Sequence, residues 1–188
     1  MRLAITFLAA LALSACSLAP TAPSRAVYDL GPAPAATNMG STLAWRLADV
    51  TAPPWLAGEG IAYRLNFQQA QRQEHYRDSV WAAPPAALLT QRLREQLAAT
   101  PGCAGKPASL LAIHLDEFEQ QFSSAASSQV VLRLQATLWP AGGGAALQQH
   151  WRLERPASAD APGAVRGLAQ TVDAWLPQLG GWLAASCR

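Results

Sequence analysis

Three stretches in the second half of the chain alternate apolar and polar side chains with a period of two, and this constrains the fold more than any other feature. In 109–118, Leu111, Ile113 and Leu115 share one face while Ala112, His114 and Asp116 share the other. In 129–139, Val130, Leu132, Leu134, Ala136 and Leu138 oppose Val131, Arg133, Gln135, Thr137 and Trp139. In 146–154, Leu147, Gln149, Trp151 and Leu153 oppose Gln148, His150 and Arg152. Side chains on a strand point alternately to the two faces of the sheet, so each run predicts a half-buried strand. A serine-rich stretch, 123–128, joins the first two, and Pro140-Ala-Gly-Gly-Gly144 joins the last two as a hairpin turn. Short joins between consecutive strands imply antiparallel pairing.

A sheet with one apolar face needs a cover, and two segments have helical spacing. Pro84-Pro85 suits a first helical turn, where the missing N–H is no loss. After it, Leu88, Leu89, Arg92, Leu93, Gln96 and Leu97 form one stripe, and Pro101-Gly102 stops the helix predicted over 84–99. A second helix is predicted over 164–184, with Val165, Leu168, Val172, Trp175, Leu176, Leu179 and Leu183 on one side. Pro177 lies inside it and predicts a kink or a break. The first half adds candidate strands at 26–31, 42–50 and 60–67, and a short polar one at 71–76; Pro53-Pro54-Trp55-Leu56 separates the second and third. The predicted class is α+β: a largely antiparallel sheet of about six strands with two helices packed on one face.

The N-terminus has a different character. Met1-Arg2 precedes an apolar run over residues 3–13, too short for the roughly 20 residues that span a bilayer. Leu13-Ser14-Ala15-Cys16 follows, matching the bacterial lipobox at all four positions. The expected organisation is a cleaved signal over 1–15, a lipidated tether over 16–25 and a single domain over 26–188. Stable anchoring needs more than one acyl chain, and a mature bacterial lipoprotein carries three on its cysteine. Ser17 after Cys16 resembles the residue that lets enterobacterial lipoproteins move to the outer membrane, which implies a location there, facing the periplasm.

Removal of 1–15 leaves 173 residues with 13 Lys+Arg against 12 Asp+Glu, no electrostatic footprint for nucleic acid. Cys103 and Cys187 remain besides Cys16, 84 positions apart in an oxidising compartment. Two readings stay open: one disulfide, worth roughly 4 kcal/mol in chain entropy, or two thiols that never meet.

No set of residues predicts catalysis. Gly142-Gly143-Gly144 lacks the Lys-Ser/Thr of a phosphate loop, and there is no Gly-x-Ser-x-Gly elbow. His75, His114 and His150 fall in separate elements without metal-ligand spacing. Asp116-Glu117-Phe118-Glu119 reads as a charged strand end. No metal or cofactor is expected beyond the lipid on Cys16. The segment 76–85 does stand out, because Tyr76 and Trp81 flank Arg77-Asp78 just before Pro84-Pro85. Aromatic and Arg side chains anchor interfaces. Tyr76, Arg77, Trp81 and Pro84 are therefore candidate partner-binding residues; the competing reading packs Tyr76 and Trp81 between sheet and helix. Trp55 and Trp139 are further candidates for exposed aromatic contacts.

At this segment the chain resembles the ABC-type transport auxiliary lipoproteins, the PqiC-like family. Its lipobox, Tyr28-Asp29-Leu30, Ile61-Ala62-Tyr63-Arg64, and the Tyr76…Trp81-Ala82-x-Pro84-Pro85 step into Leu88-Leu89 occur in the family's order. Pro53-Pro54-Trp55-Leu56 departs from the family's usual Pro-x-Tyr-Leu-like step. The resemblance implies a non-enzymatic periplasmic subunit of an MCE-type lipid transport system. It would dock an MCE-domain protein, with its permease and ATPase, at the outer membrane. Two other readings are an assembly lipoprotein for an outer-membrane barrel or lipopolysaccharide export, and a lipid-anchored hydrolase, for which no nucleophile–base pair is evident.

Overall fold

A computed structural model describes residues 24–34, 45–98 and 108–186. In chain order the elements are β1 (Ala26–Tyr28), β2 (Trp45–Leu47), a 3-10 turn (Pro54–Leu56), β3 (Gly60–Leu65), α1 (Asn66–Gln69), β4 (Gln73–Trp81), α2 (Pro85–Ala98), β5 (Ser109–Phe122), β6 (Ser128–Trp139), β7 (Leu147–Ala157) and α3 (Ala161–Ala185). The class is α+β, as the periodicities predict.

The sheet differs from expectation in strand number and direction. Seven strands form one sheet in the order β1-β4-β3-β5-β6-β7, with β2 also pairing to β5. The β3–β4, β5–β6 and β6–β7 pairs are antiparallel, but β1–β4, β2–β5 and β3–β5 are parallel. The mixed sheet has a physical cause. The antiparallel strand β4 returns the chain to the starting end of β3, where Val80 lies opposite Gly60, and the connection through α2 then brings β5 in beside β3 in the same direction. Segment 45–65 runs along one edge of β5 in two pieces: Trp45 to Leu47 pairs with Ser109 to Leu111, and Ala62 to Leu65 with Glu119 to Phe122. Thr51 bridges to His114 between them. Proline removes a ladder donor, so the Pro53-Pro54 step leaves the edge as a 3-10 turn.

A bulge between Leu115 and Glu117 shifts the phase of β5. Leu111, Ile113 and Leu115 line the inner face before it; Phe118, Gln120 and Phe122 line the same face after it, opposite Leu132, Val130 and Ser128. The alternation read from the sequence therefore fades at residue 118, although the strand continues.

One core joins the inner face to both long helices; Leu89 and Leu93 of α2 and Leu168, Val172, Trp175 and Leu179 of α3 are buried in it. Asp160 caps α3 through a 2.6 Å bond accepted from the Gly163 N–H. Gly167 lets the helix approach closely, since a Cβ there would lie 3.0 Å from the Val130 methyls. Of the kink or break expected at Pro177, the break is absent: α3 runs continuously through it. Proline inside a helix costs about 3 kcal/mol. Trp175, Leu176, Leu179 and Leu183 are all buried around it, at roughly 1.5–3 kcal/mol each, and burial wins.

Candidate functional site

The structure separates the four residues read from the sequence as one contact site. Residues 73–81 form one continuous strand, longer than the short one expected at 71–76, so their side chains alternate between faces. Trp81 is 1% exposed, with its ring 5.5 Å from that of Phe118. No partner reaches it from outside. Tyr76 is half-buried, 4.8 Å from the Tyr63 ring, and donates its hydroxyl to Gln120 Oε1 at 2.6 Å. Gln120 donates in turn to Ser128 Oγ at 2.7 Å and to the Ser158 carbonyl at 2.8 Å. Burial, with the charge of Asp160 behind it, pushes the Tyr76 phenol up to about 12. Arg77 is exposed and pairs with Asp78 at 3.0 Å, which holds the Asp78 carboxyl below its ordinary value. Tyr76 and Trp81 thus serve packing, Arg77 faces solvent, and Pro84 belongs to a different surface.

That surface is a groove of about 450 Å³ between segment 49–57 and the N-terminal half of α2. Val50, Ala52, Leu56, Pro84, Ala87 and Thr90 line it. Thr90 Oγ1 accepts from the Val50 N–H at 2.9 Å and donates to the Ala86 carbonyl at 2.8 Å, tying the two walls together. Asp49 and Arg94 form an ion pair at its rim. Trp55 sits next to the lining residue Leu56 on the 3-10 turn and is 60% exposed. Trp139, the second expected exposed aromatic, is 44% exposed and pairs across the sheet with Leu110, at the far end of β6. The sequence carried a signal for Trp55 and Pro84. It carried none for Val50 or Thr90, whose pairing spans 40 residues.

Behind the groove, α2 holds the N-terminal segment. Arg92 is 3% exposed, yet it sits on the buried stripe of the helix. Its guanidinium donates to the carbonyls of Leu30 and Gly31, each at 2.7 Å, and pairs with Asp173 of α3 at 3.0 Å. Gln96 Nε2 donates to the Pro34 carbonyl at 3.1 Å. A buried arginine demands such partners, because an unpaired buried charge is strongly destabilising.

The outer face of the sheet is a polar lattice. Glu119 accepts from Arg64, Gln73 and Gln121 at 2.8–3.2 Å. Burial pushes its carboxyl up, but these donors outweigh it and hold the group below the ordinary glutamate range. Glu117 pairs with Arg133 and Arg152. The acidic run 116–119 is thus absorbed into ion pairs and packing. His114 Nδ1 lies 2.8 Å from Thr51 Oγ1, while His75 and His150 are exposed on separate strands. Among the described residues no three or more His, Cys, Asp or Glu side chains gather as a metal site, and no helix is long and apolar enough to cross a membrane. Cys16, Cys103 and Cys187 lie outside the described residues, so the structure lends no support to the expected disulfide.

A family model described as "ABC-type transport auxiliary lipoprotein component" matches residues 28–179. The fold is similar to the crystal structure of a Xanthomonas campestris protein from family model DUF330, with a TM-score of 0.67 and 19% identity, covering 87% of this chain and 93% of that one. It is also similar to the crystal structure of an uncharacterized protein, with a TM-score of 0.61 and 22% identity over 88% and 99% of the two chains. No curated protein matches this chain.

Proposed function

Because this chain belongs to the family of ABC-type transport auxiliary lipoprotein components, we propose that it is the docking subunit of an MCE-type lipid transport system, held by the lipid on Cys16 at the periplasmic face of the outer membrane. The match over 28–179 carries this reading, since it spans nearly all of the folded domain. The lipobox at 13–16 supports the anchor, and Ser17 favours the outer membrane. The subunit adds attachment rather than chemistry: energy comes from the ATPase, the inner-membrane path from the permease, and this chain fixes the MCE assembly to the opposite membrane.

The groove between segment 49–57 and α2 is the docking site in this reading. Its apolar floor, its charged rim at Asp49 and Arg94, and an exposed tryptophan beside it match the make-up of protein-binding hot spots. An extended or helical segment of the MCE-domain protein would fill it. Within 76–85, Pro84 lines the groove, whereas Trp81 braces the sheet beneath.

Affinity purification of the lipidated chain from gently solubilised membranes tests the proposal. The expected result is stoichiometric recovery of an MCE-domain protein with its permease and ATPase. Recovery of an outer-membrane barrel protein as the stable partner, with no MCE protein, would overturn it.

A further inference from the structure

Five strand termini meet at one end of the sheet. Arg64 of β3 lies opposite Gln73, where β4 begins, and Leu65 lies beside Phe122, where β5 ends. Phe122 in turn lies opposite Ser128 at the start of β6, and Ser128 opposite Ala157 at the end of β7. Two connections close this end. Residues 66–72 read Asn-Phe-Gln-Gln-Ala-Gln-Arg and include α1; residues 123–127 read Ser-Ser-Ala-Ala-Ser. Neither holds an acid. The third connection, 158–160, brings Asp160, whose carboxylate is turned onto the Gly163 N–H as the cap of α3. Phe67 is 43% exposed here, a large apolar side chain among glutamines. Arg72 is also largely exposed and pairs with Glu74 at 2.9 Å.

The N-terminal segment enters the domain from this side. β1 is parallel to β4 with Ala26 beside Ser79, so Ser24 and Arg25 lead back along β4 towards Gln73. The neighbourhood of Arg25 agrees: the Asp78 carboxyl, lowered first by its bond to Arg77, also feels the charge of Arg25. From Ser79 back to Gln73 is about 20 Å at ~3.3 Å per strand residue. Ala26 lies ten residues after Cys16, a reach of at most about 33–36 Å. Cys16 therefore stands no more than about 15 Å beyond the 66–72 connection along this direction. To meet a bilayer at the other end of the sheet, the tether would have to reverse the direction set by Ser24 and Arg25.

A domain tethered this closely meets the bilayer surface as an intramolecular event, so a contact too weak to hold a free protein is still occupied. The interface of a bilayer favours exposed aromatic and basic side chains. It disfavours carboxylates, which lose hydration there. The end formed by 66–72 and 123–127 meets these conditions. The other end, where Pro84 and the groove follow β4, exposes Asp49 and Glu59 beside Trp55.

Resting on the lipid anchor of the proposed function, we propose that this end of the sheet sits on the phospholipid surface that carries the Cys16 lipid. Phe67 enters the head-group layer, Arg72 meets its phosphates, and the groove at the other end faces away from the bilayer. The anchor thus fixes orientation as well as location.

The test uses the mature lipidated chain in vesicles of phosphatidylethanolamine and phosphatidylglycerol. Benzophenone in place of Phe67 should form phospholipid adducts on illumination, read as added mass, with at least tenfold the yield of benzophenone at position 55 or 139. In the wild type, hydrogen exchange at 66–72 and 123–127 should slow at least threefold on vesicles relative to Cys16→Ala in solution. Phe67→Glu should abolish that slowing while the chain stays on the vesicles and melts within about two degrees of wild type, as an exposed substitution should. Adducts at 55 or 139 as abundant as at 67, or unchanged exchange at 66–72 in a vesicle-bound chain, would overturn the contact and leave the anchor standing. A Cys16 without acyl groups by mass spectrometry would overturn both.

Discussion

Arg92 Nη2 lies 2.7 Å from the Leu30 carbonyl oxygen, a charged hydrogen bond made inside the core between a helix and the segment that follows β1. Leu30 is itself buried, at 6% exposure. The chain that leads from the tether into the domain is therefore not a loose leader. It is pinned through its carbonyls to α2 and, through Asp173, to α3.

Arg92→Leu should loosen that attachment. Hydrogen bonds to charged groups contribute about 1.5–3 kcal/mol each in net terms. Asp173 is one-third exposed, so its carboxylate stays hydrated when the arginine leaves. The expected loss is about 2–4 kcal/mol in denaturant unfolding, with hydrogen exchange rising first at residues 26–32. Arg92→Lys should recover only part of it, because an ammonium cannot span both carbonyls and Asp173 as a planar fork does. Unchanged exchange at 26–32 would show that β1 alone holds the segment.

Trp81→Ala and Trp55→Ala should separate folding from binding. Trp81 is in the core beside Phe118, and truncating a buried tryptophan costs about 3–5 kcal/mol. Trp55 is largely exposed, so its loss should leave the melting temperature within about two degrees while weakening partner association by about 2 kcal/mol, roughly thirtyfold. A Trp81→Ala chain that melts normally but fails to bind would return the docking site to segment 76–85.

Two groups give opposite limbs of the pH–stability curve. The Glu119 carboxyl is held below its ordinary value in the folded state. Its contribution is therefore present above the unfolded value, near 4.3, and is lost as pH falls through the folded one. Glu119→Gln should flatten the acid limb below about pH 5. The Tyr76 phenol is raised to about 12, so its contribution is present below the ordinary value of 10.0 and is lost as pH rises towards 12. Tyr76→Phe should flatten that alkaline limb, and absorbance at the phenolate band should show Tyr76 titrating late together with Tyr63, whose hydroxyl is raised by its hydrogen bond to Glu74. Equal titration of all tyrosines would contradict the burial of Tyr76.

Cys16→Ala should release the protein from membranes into the soluble periplasmic fraction, and retention in the membrane would count against the lipobox. Non-reducing peptide mapping of the same preparations decides between the two readings of Cys103 and Cys187, a bridged pair or two free thiols.

The strands β6 and β7 were legible because each keeps one alternation, with Leu132, Leu134 and Ala136 inward and Arg133 and Gln135 outward, and β5 was legible as far as Leu115 for the same reason. The direction of the remaining strands was not. Alternation reports faces, and it is silent on which neighbour a strand meets or how the chain returns. The bulge at Leu115 and Glu117 reversed the phase of the last turns of β5, and Pro53-Pro54 hid the fact that Thr51 and Ala62 lie along the same edge. In α2, Arg92 and Gln96 fell on the apolar stripe without a reason in the local sequence; the reason is carbonyls sixty residues away. At the candidate site, Pro84 and Trp55 were legible as unusual residues. The groove beside them was not, since it exists only once Val50 and Thr90 are brought together by the fold.

The most direct test of the docking account is photo-cross-linking in cells from position 55, with a benzophenone amino acid in place of Trp55 in the lipidated chain. One dominant adduct is expected, to an MCE-domain protein, and it disappears when Ala87→Arg fills the groove while the chain stays folded and membrane-bound. An adduct to an outer-membrane barrel, or an MCE adduct that persists when the groove is filled, would contradict it.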